Sequence, residues 1–195
     1  MHKTLRLTFT ALSLLGAALP SGAFNPQPDP PAKLIWQNID LPGALNTFAY
    51  GINNAGQIAG YTDDGITAAY GYVRNGNTVT TYSVPGSYAI YAENYAINAA
   101  GDVAGAYYTL PGALYGFQYS GGFYQQVDPG GLEIFAFGLN DAGQMVGRNT
   151  DTNNIVHGWL WNGHAFSSID HPGAVRTVLN SIDNAGRIVG TWVDP

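Results

Sequence analysis

One ten-residue phrase occurs four times in this chain: Gly51-Ile-Asn-Asn-Ala-Gly-Gln-Ile-Ala-Gly60, Ala96-Ile-Asn-Ala-Ala-Gly-Asp-Val-Ala-Gly105, Gly138-Leu-Asn-Asp-Ala-Gly-Gln-Met-Val-Gly147 and Ser181-Ile-Asp-Asn-Ala-Gly-Arg-Ile-Val-Gly190. Its turn glycines, Gly56, Gly101, Gly143 and Gly186, follow one another at intervals of 45, 42 and 43 residues. A period of that size corresponds to one small antiparallel sheet per repeat. One such unit has too little core of its own, so the units must bury their apolar faces against one another.

Within a unit the landmarks read as strands. Apolar residues at Ile52, Ile97, Leu139 and Ile182 end a first strand, an Asn/Asp-x-Ala-Gly turn follows, and Ile58, Val103, Met145 and Ile188 open a second. Asn and Asp tolerate tight turns, and glycine takes a positive φ that a β-carbon resists. Gly60, Gly105, Gly147 and Gly190 recur inside the second strand, where a glycine marks close approach by a neighbouring backbone. Tyr70 to Val73, Tyr115 to Gln118 and His157 to Leu160 read as third strands, with tight turns at Asn75-Gly76, Ser120-Gly121 and Asn162-Gly163. Fourth strands then run to exits at Pro85, Pro129 and Pro172.

Four hairpin-connected strands per unit predict an all-β, β-propeller-like array of about four four-stranded antiparallel repeats. Leu34 to Gly43 matches a fourth strand and its exit, yet precedes the first complete unit, while little follows Gly190. The two ends can therefore share one blade, with Ile35–Asp40 pairing in the sheet of Arg187–Val193 and leaving no free edge. The third strand of that closing blade is missing, because its place falls on the proline-rich stretch around Pro28.

Residues 1–23 carry Lys3 and Arg6, an apolar run from Leu12 to Leu19 and small residues at Ser21 to Ala23, the pattern of a secretory signal peptide. Residues 24–33 hold four prolines and read as an extended linker, leaving 34–195 as the repeat domain. The expected mature protein is exported, extracellular or periplasmic, with no membrane span after cleavage; an uncleaved N-terminal anchor is the alternative. Beyond residue 23 only Lys33, Arg74, Arg148, Arg176 and Arg187 stand against thirteen acidic residues, which argues against nucleic acid as a partner. The chain has no cysteine, so disulfides, thiolate metal sites and cysteine nucleophiles are excluded.

The four turns with their following glycines, His157-Gly158-Trp159 and the Pro-Gly-Ala exits at Pro42 and Pro172 resemble the HAF family of probable extracellular repeat proteins, known from bacterial secreted proteins. The resemblance covers about residues 34 to 192 and implies a repeat fold and export, but no particular activity. The chain departs from the family pattern at Tyr70 and Tyr115, which stand where the third unit has His157, and in the residues added after Gly86.

Candidate function is best sought where equivalent positions vary. Asn46, Tyr91, Glu133 and Arg176 each lie six residues before the aliphatic end of a first strand. In a propeller these innermost strands line the central channel, so the four side chains would converge at one mouth. Glu93 and Asn94 join them, and the second unit carries a Tyr-rich insertion with Tyr88 and Tyr91. Tyrosine faces beside amides and carboxylates suit sugar rings, so a secreted, non-enzymatic module that binds a glycan is the expected function. Solvated loop ends, a simple Glu133–Arg176 ion pair and core filling by the insertion are the plainer readings of the same residues.

Two alternatives stand beside it. One is a polysaccharide lyase or glycosidase using Glu133 and Arg176, although no catalytic motif assigns catalytic residues. The other is a structural surface protein that oligomerises with another chain through its incomplete blade. No cofactor is implied. Asp63-Asp64 and Asn149 to Asn154 offer oxygen ligands without the spacing of a calcium loop, and His157, His164 and His171 fall on a strand, a turn and an exit, so no metal site is assigned.

Overall fold

The computed structural model describes residues 5–8, 35–65, 69–84, 92–109 and 112–195. All regular structure among them is β, as expected. Strands β1 (Leu5–Thr8) and β2 (Ile35–Asn38) form an antiparallel pair. Three four-stranded meanders follow. The first sheet runs β3 (Asn46–Ile52), β4 (Ile58–Asp63), β5 (Ala69–Asn75), β6 (Thr78–Tyr82); the second runs β7 (Ala92–Ile97), β8 (Val103–Thr109), β9 (Ala113–Ser120), β10 (Phe123–Val127). The third contains β11 (Phe135–Leu139), β12 (Met145–Thr150), β13 (Val156–Trp161) and β14 (Phe166–Ser168). A closing hairpin of β15 (Arg176–Ile182) and β16 (Ile188–Val193) joins it through one parallel pair, Val156 with Arg176.

Two expectations change here. Among the described residues the closing unit has two strands rather than the three expected, because the N-terminal strand does not join it. Nor does Ile35–Asn38 pair with β16: its sheet partner is Leu5–Thr8, and among the described residues β16 pairs with β15 alone. Leu5–Thr8 fall in the segment expected to be a leader; the rest of that leader and all of the linker lie outside the described residues.

The repeated phrase builds one turn four times. Asn53 Oδ1 accepts from the backbone N–H groups of Ala55 (3.1 Å) and Gln57 (3.0 Å), and Gly56 closes the turn at φ 76°. Asn140 and Asp183 hold their turns through the same pair of bonds, and Asn98 accepts from Asp102 N–H at 2.9 Å. The loop between β12 and β13 uses the same device unannounced by the motif. Asp151 accepts from Asn153 and Ile155 N–H, each at 2.8 Å, and Asn154 takes the glycine place at φ 63°. Between third and fourth strands, the two-residue turns are Gly76-Asn77 and Gly121-Gly122, one place later than Asn75-Gly76 and Ser120-Gly121.

Every first strand carries a bulge at one position, at Tyr50, Tyr95, Phe137 and Asn180. The bulge explains the strand glycines. It presses the carbonyl oxygens of Phe48, Glu93, Phe135 and Val178 against Gly60, Gly105, Gly147 and Gly190, where any Cβ would collide with them.

Successive sheets pack face to face, with the first strand of each laid on the sheet before it: β7 on β3 to β5, β11 on β7 to β9, β15 on β11 to β13. Ala59 meets Ile97 in the first seam, Ala104 meets Leu139 in the second and Val146 meets Ile182 in the third. Tyr72, Phe117 and Trp159, one per third strand, are buried and pack in these cores. Ile39 and Leu41 cover Ile58 and Tyr72 just as Val127 covers Met145 and Trp159, so the segment after β2 does occupy a fourth-strand exit.

Candidate functional site

The bulged residues and those two places before them lie on the first strands, away from the aliphatic seams. They form a continuous ribbon of rings across three sheets. Phe48 stacks on Tyr61 (centroids 4.5 Å), Tyr61 on Tyr50 (6.0 Å), Tyr50 meets Tyr95 edge-on (5.5 Å), and Tyr95 meets Phe137 (5.2 Å), which stacks on Phe135 (5.5 Å). Arg148 caps the end, its guanidinium 4.3 Å from the Phe135 centroid. The row stops in the fourth unit, where Val178 and Asn180 hold the equivalent places. Tyr50 is half exposed, and Phe48, Tyr61, Tyr95, Phe135 and Phe137 are partly so.

Glu93 is the acid of this ribbon. Its carboxylate accepts the Tyr95 hydroxyl. Burial, that hydrogen bond and the charge of Glu93 push the Tyr95 phenol well above the ordinary range. Burial and then Glu93 do the same to Tyr61, which also hydrogen-bonds with Tyr50. Both phenols therefore stay neutral donors at any physiological pH. The ribbon offers uncharged aromatic faces, phenolic hydroxyls, one carboxylate and one guanidinium.

The residues expected to converge are placed unequally. Glu93 lies in the ribbon. Glu133, just before β11, reaches Arg148 at 3.5 Å and so borders it; the partner is Arg148, not Arg176. Asn46 opens β3 and donates from Nδ2 to Asp63 Oδ1 at 2.9 Å, tying β3 to β4. Arg176 opens β15, exposed, opposite Val193 and Val156. Among the described residues, no hydrogen bond or ion pair joins Asn46, Glu93, Glu133 and Arg176 to one another. Tyr88, Tyr91 and the side chain of Asn94 lie outside the described residues. Reasoning from sequence missed Tyr50, Tyr61, Phe135, Phe137 and Arg148. The signal was present, because Tyr50, Tyr95 and Phe137 are aromatic at one repeat position, two residues before the seam aliphatic.

A second polar cluster sits on the third sheet. His157 Nδ1 lies 2.8 Å from Asp170 Oδ2, and Nε2 lies 3.6 Å from Asp151 Oδ2. Ser168 donates its hydroxyl to Asp170 Oδ2 at 3.0 Å, and Gly158 N–H donates to Oδ1 at 3.0 Å. The hydrogen bond to Asp170 raises the His157 pKa. Asp170 is lowered, because bonds from His157, Gly158 and Ser168 outweigh its partial burial. This group borders a pocket of about 270 Å³ lined by Pro129, Asn149, Trp159 and Phe166. His171 stacks on Trp192 instead (4.4 Å), and no group of three metal-ligating side chains occurs among the described residues.

No family model matches the chain, and no curated protein matches it in sequence. Among solved structures it is similar to a fucose lectin from Kordia zhangzhouensis in complex with methyl-fucoside, at 10% identity and a TM-score of 0.38, over 65% of this chain and 99% of that chain.

Proposed function

We propose that this chain is an exported, non-enzymatic binding module, a β-propeller-like array of HAF-type repeats that takes a carbohydrate on its aromatic ribbon. The observation that carries the reading is the row from Phe48 to Arg148, partly open to solvent and flanked by Glu93. A sugar ring lays its C–H face on an aromatic face, while a carboxylate, a guanidinium and phenols bond its hydroxyls. Glu93 and the Glu133–Arg148 pair are placed to do this at the second and third sheets. Asn46 borders the ribbon at the first, and Tyr88, Tyr91, Asn94 and Arg176 stay candidates to extend it.

The test is a glycan array followed by calorimetry on the best ligand. Tyr50→Ala, at an exposed ring, is expected to weaken binding at least about tenfold, the loss of a central aromatic anchor. An array without a hit, or affinity unchanged in Tyr50→Ala and Glu93→Gln alike, defeats the reading. Turnover of a polysaccharide that disappears in Glu133→Gln would turn it toward an enzyme instead.

A further inference from the structure

The three seams use the same two positions each time, and the molecule presents one further, unmatched copy of each. Ala59, Ala104 and Val146 are each 0% exposed, whereas their equivalent in the closing hairpin, Val189, is 63% exposed. Their seam partners Ile97, Leu139 and Ile182 are 8%, 7% and 7% exposed, whereas the equivalent in the first sheet, Ile52, is 56% exposed. Val189 and Ile52 are thus the two halves of a fourth seam, at opposite ends of the row of sheets.

The turns beside these seams carry a matching polar register. Ala99 N–H donates to Asp141 Oδ1 (2.7 Å) and Asp141 N–H to Asn184 Oδ1 (2.9 Å), each turn reaching the same position of the next. Continued one step, the exposed Asn184 N–H would donate to a side-chain oxygen at the equivalent place, and Asn54 at the other end carries one. A second rung runs from Asn53 Nδ2 to the Asn98 carbonyl (2.9 Å), from Asn98 to Asn140 (3.4 Å) and from Asn140 to Asp183 (3.1 Å). It stops at Asp183, whose carboxylate has no N–H to donate and instead binds Arg187 Nε at 2.6 Å.

We propose that copies of this chain associate head to tail, the β15–β16 face of one copy seating on the β3 end of the next as each internal sheet seats on its neighbour. Such a contact is heterologous, one face meeting a different one, so it propagates into a ring or a filament. The seam aliphatics and the Asn184–Asn54 rung recur in it; the missing Asp183 rung makes it weaker than the internal seams.

Sedimentation velocity of the full chain, from micromolar to millimolar concentration, tests this. The wild-type protein is expected to associate with rising concentration. Val189→Asp and Ile52→Asp, both at exposed positions and so leaving the internal seams intact, are each expected to stay monomeric with unchanged circular dichroism. An equimolar mixture of the two retains one good face on each partner and should form heterodimers and nothing larger. Asp183→Asn restores the missing donor and should bring association on at a concentration about fivefold lower, the change one hydrogen bond supplies. A wild-type chain that stays monomeric, its two faces closed on each other or covered by its own N-terminal segment, overturns the proposal. So does association that survives both aspartate variants, or a mixture that does not pair.

Discussion

Ile97, Leu139 and Ile182 occupy one position of the first strands, while Tyr95, Phe137 and Asn180 occupy another, two residues earlier. The first three are aliphatic and nearly buried, each under the small residue of the preceding sheet. The second three change from phenol to phenyl to amide and keep part of their surface in water. The strands that carry both sets are the same, with the same bulge and the same opposing glycine. Packing fixes one side of the strand, because a seam of interlocked side chains has no tolerance for changed volume. The other side meets the neighbouring sheets through ring edges, Tyr95 against Tyr50 and Phe137, but keeps a solvent-facing surface that differs from unit to unit, which is where recognition of a ligand can be written without disturbing the fold.

That contrast breaks most readily at the glycines. In Gly147→Ala the new methyl group would collide with the Phe135 carbonyl and the Trp159 ring, neither of which can step aside. We expect a loss of about 3 kcal/mol or more in urea unfolding. Tyr50→Ala, on the ribbon and half exposed, should cost less than about 1 kcal/mol by the same measurement. If the two losses come out similar, the ribbon is part of the core and the division between packing and recognition sides fails.

The turns give a smaller and more selective effect. Asn140→Asp keeps the oxygen that accepts from Ala142 and Gln144 but removes the amide that donates to the Asp183 carbonyl. The turn should survive and the bridge to the closing hairpin should not, at a cost of about 1 kcal/mol. Hydrogen exchange should locate the loss in β15 and β16. Protection lost equally in the first sheet would mean that the bridge is not local.

Most of the fold was legible because its signals are local and repeated: the turn glycines, the strand glycines and the seam aliphatics announce themselves four times each. The ribbon was only half legible. Glu93 and Glu133 stood out as charges among apolar residues. Arg148, Tyr61 and Phe135 did not, because the bulge sets the register that puts Arg148 opposite Phe135 and Tyr61 opposite Phe48. The sheet partner of the N-terminal strand was not legible for a related reason. The match of Leu34 to Gly43 to a fourth strand is real, and Ile39 and Leu41 pack accordingly, but sequence similarity to a strand does not say which edge it pairs with.

The rim of the third seam should show the smallest effect, and it is one that pH can isolate. His157 is held between Asp170 and Asp151, about a third exposed, where Tyr70 and Tyr115 stand in the other sheets. Its pKa is raised above the ordinary 6.5, so its contribution is complete below that value and is lost as pH rises through the folded-state pKa. Asp170 is depressed below 3.8, so its contribution is complete above that value and is lost as pH falls through the lowered pKa. Stability should therefore form a plateau between the two, with a shallow alkaline limb worth less than about 1 kcal/mol, since the His157 ring and the Asp170 carboxylate are both partly in water. His157→Gln should flatten the alkaline limb in thermal melts across the pH range while leaving melts of the ribbon variant Tyr50→Ala with the same limb as wild type. An alkaline limb that persists in His157→Gln would place its origin elsewhere in the molecule, and one that vanishes in Tyr50→Ala would couple the rim of the seam to the ribbon.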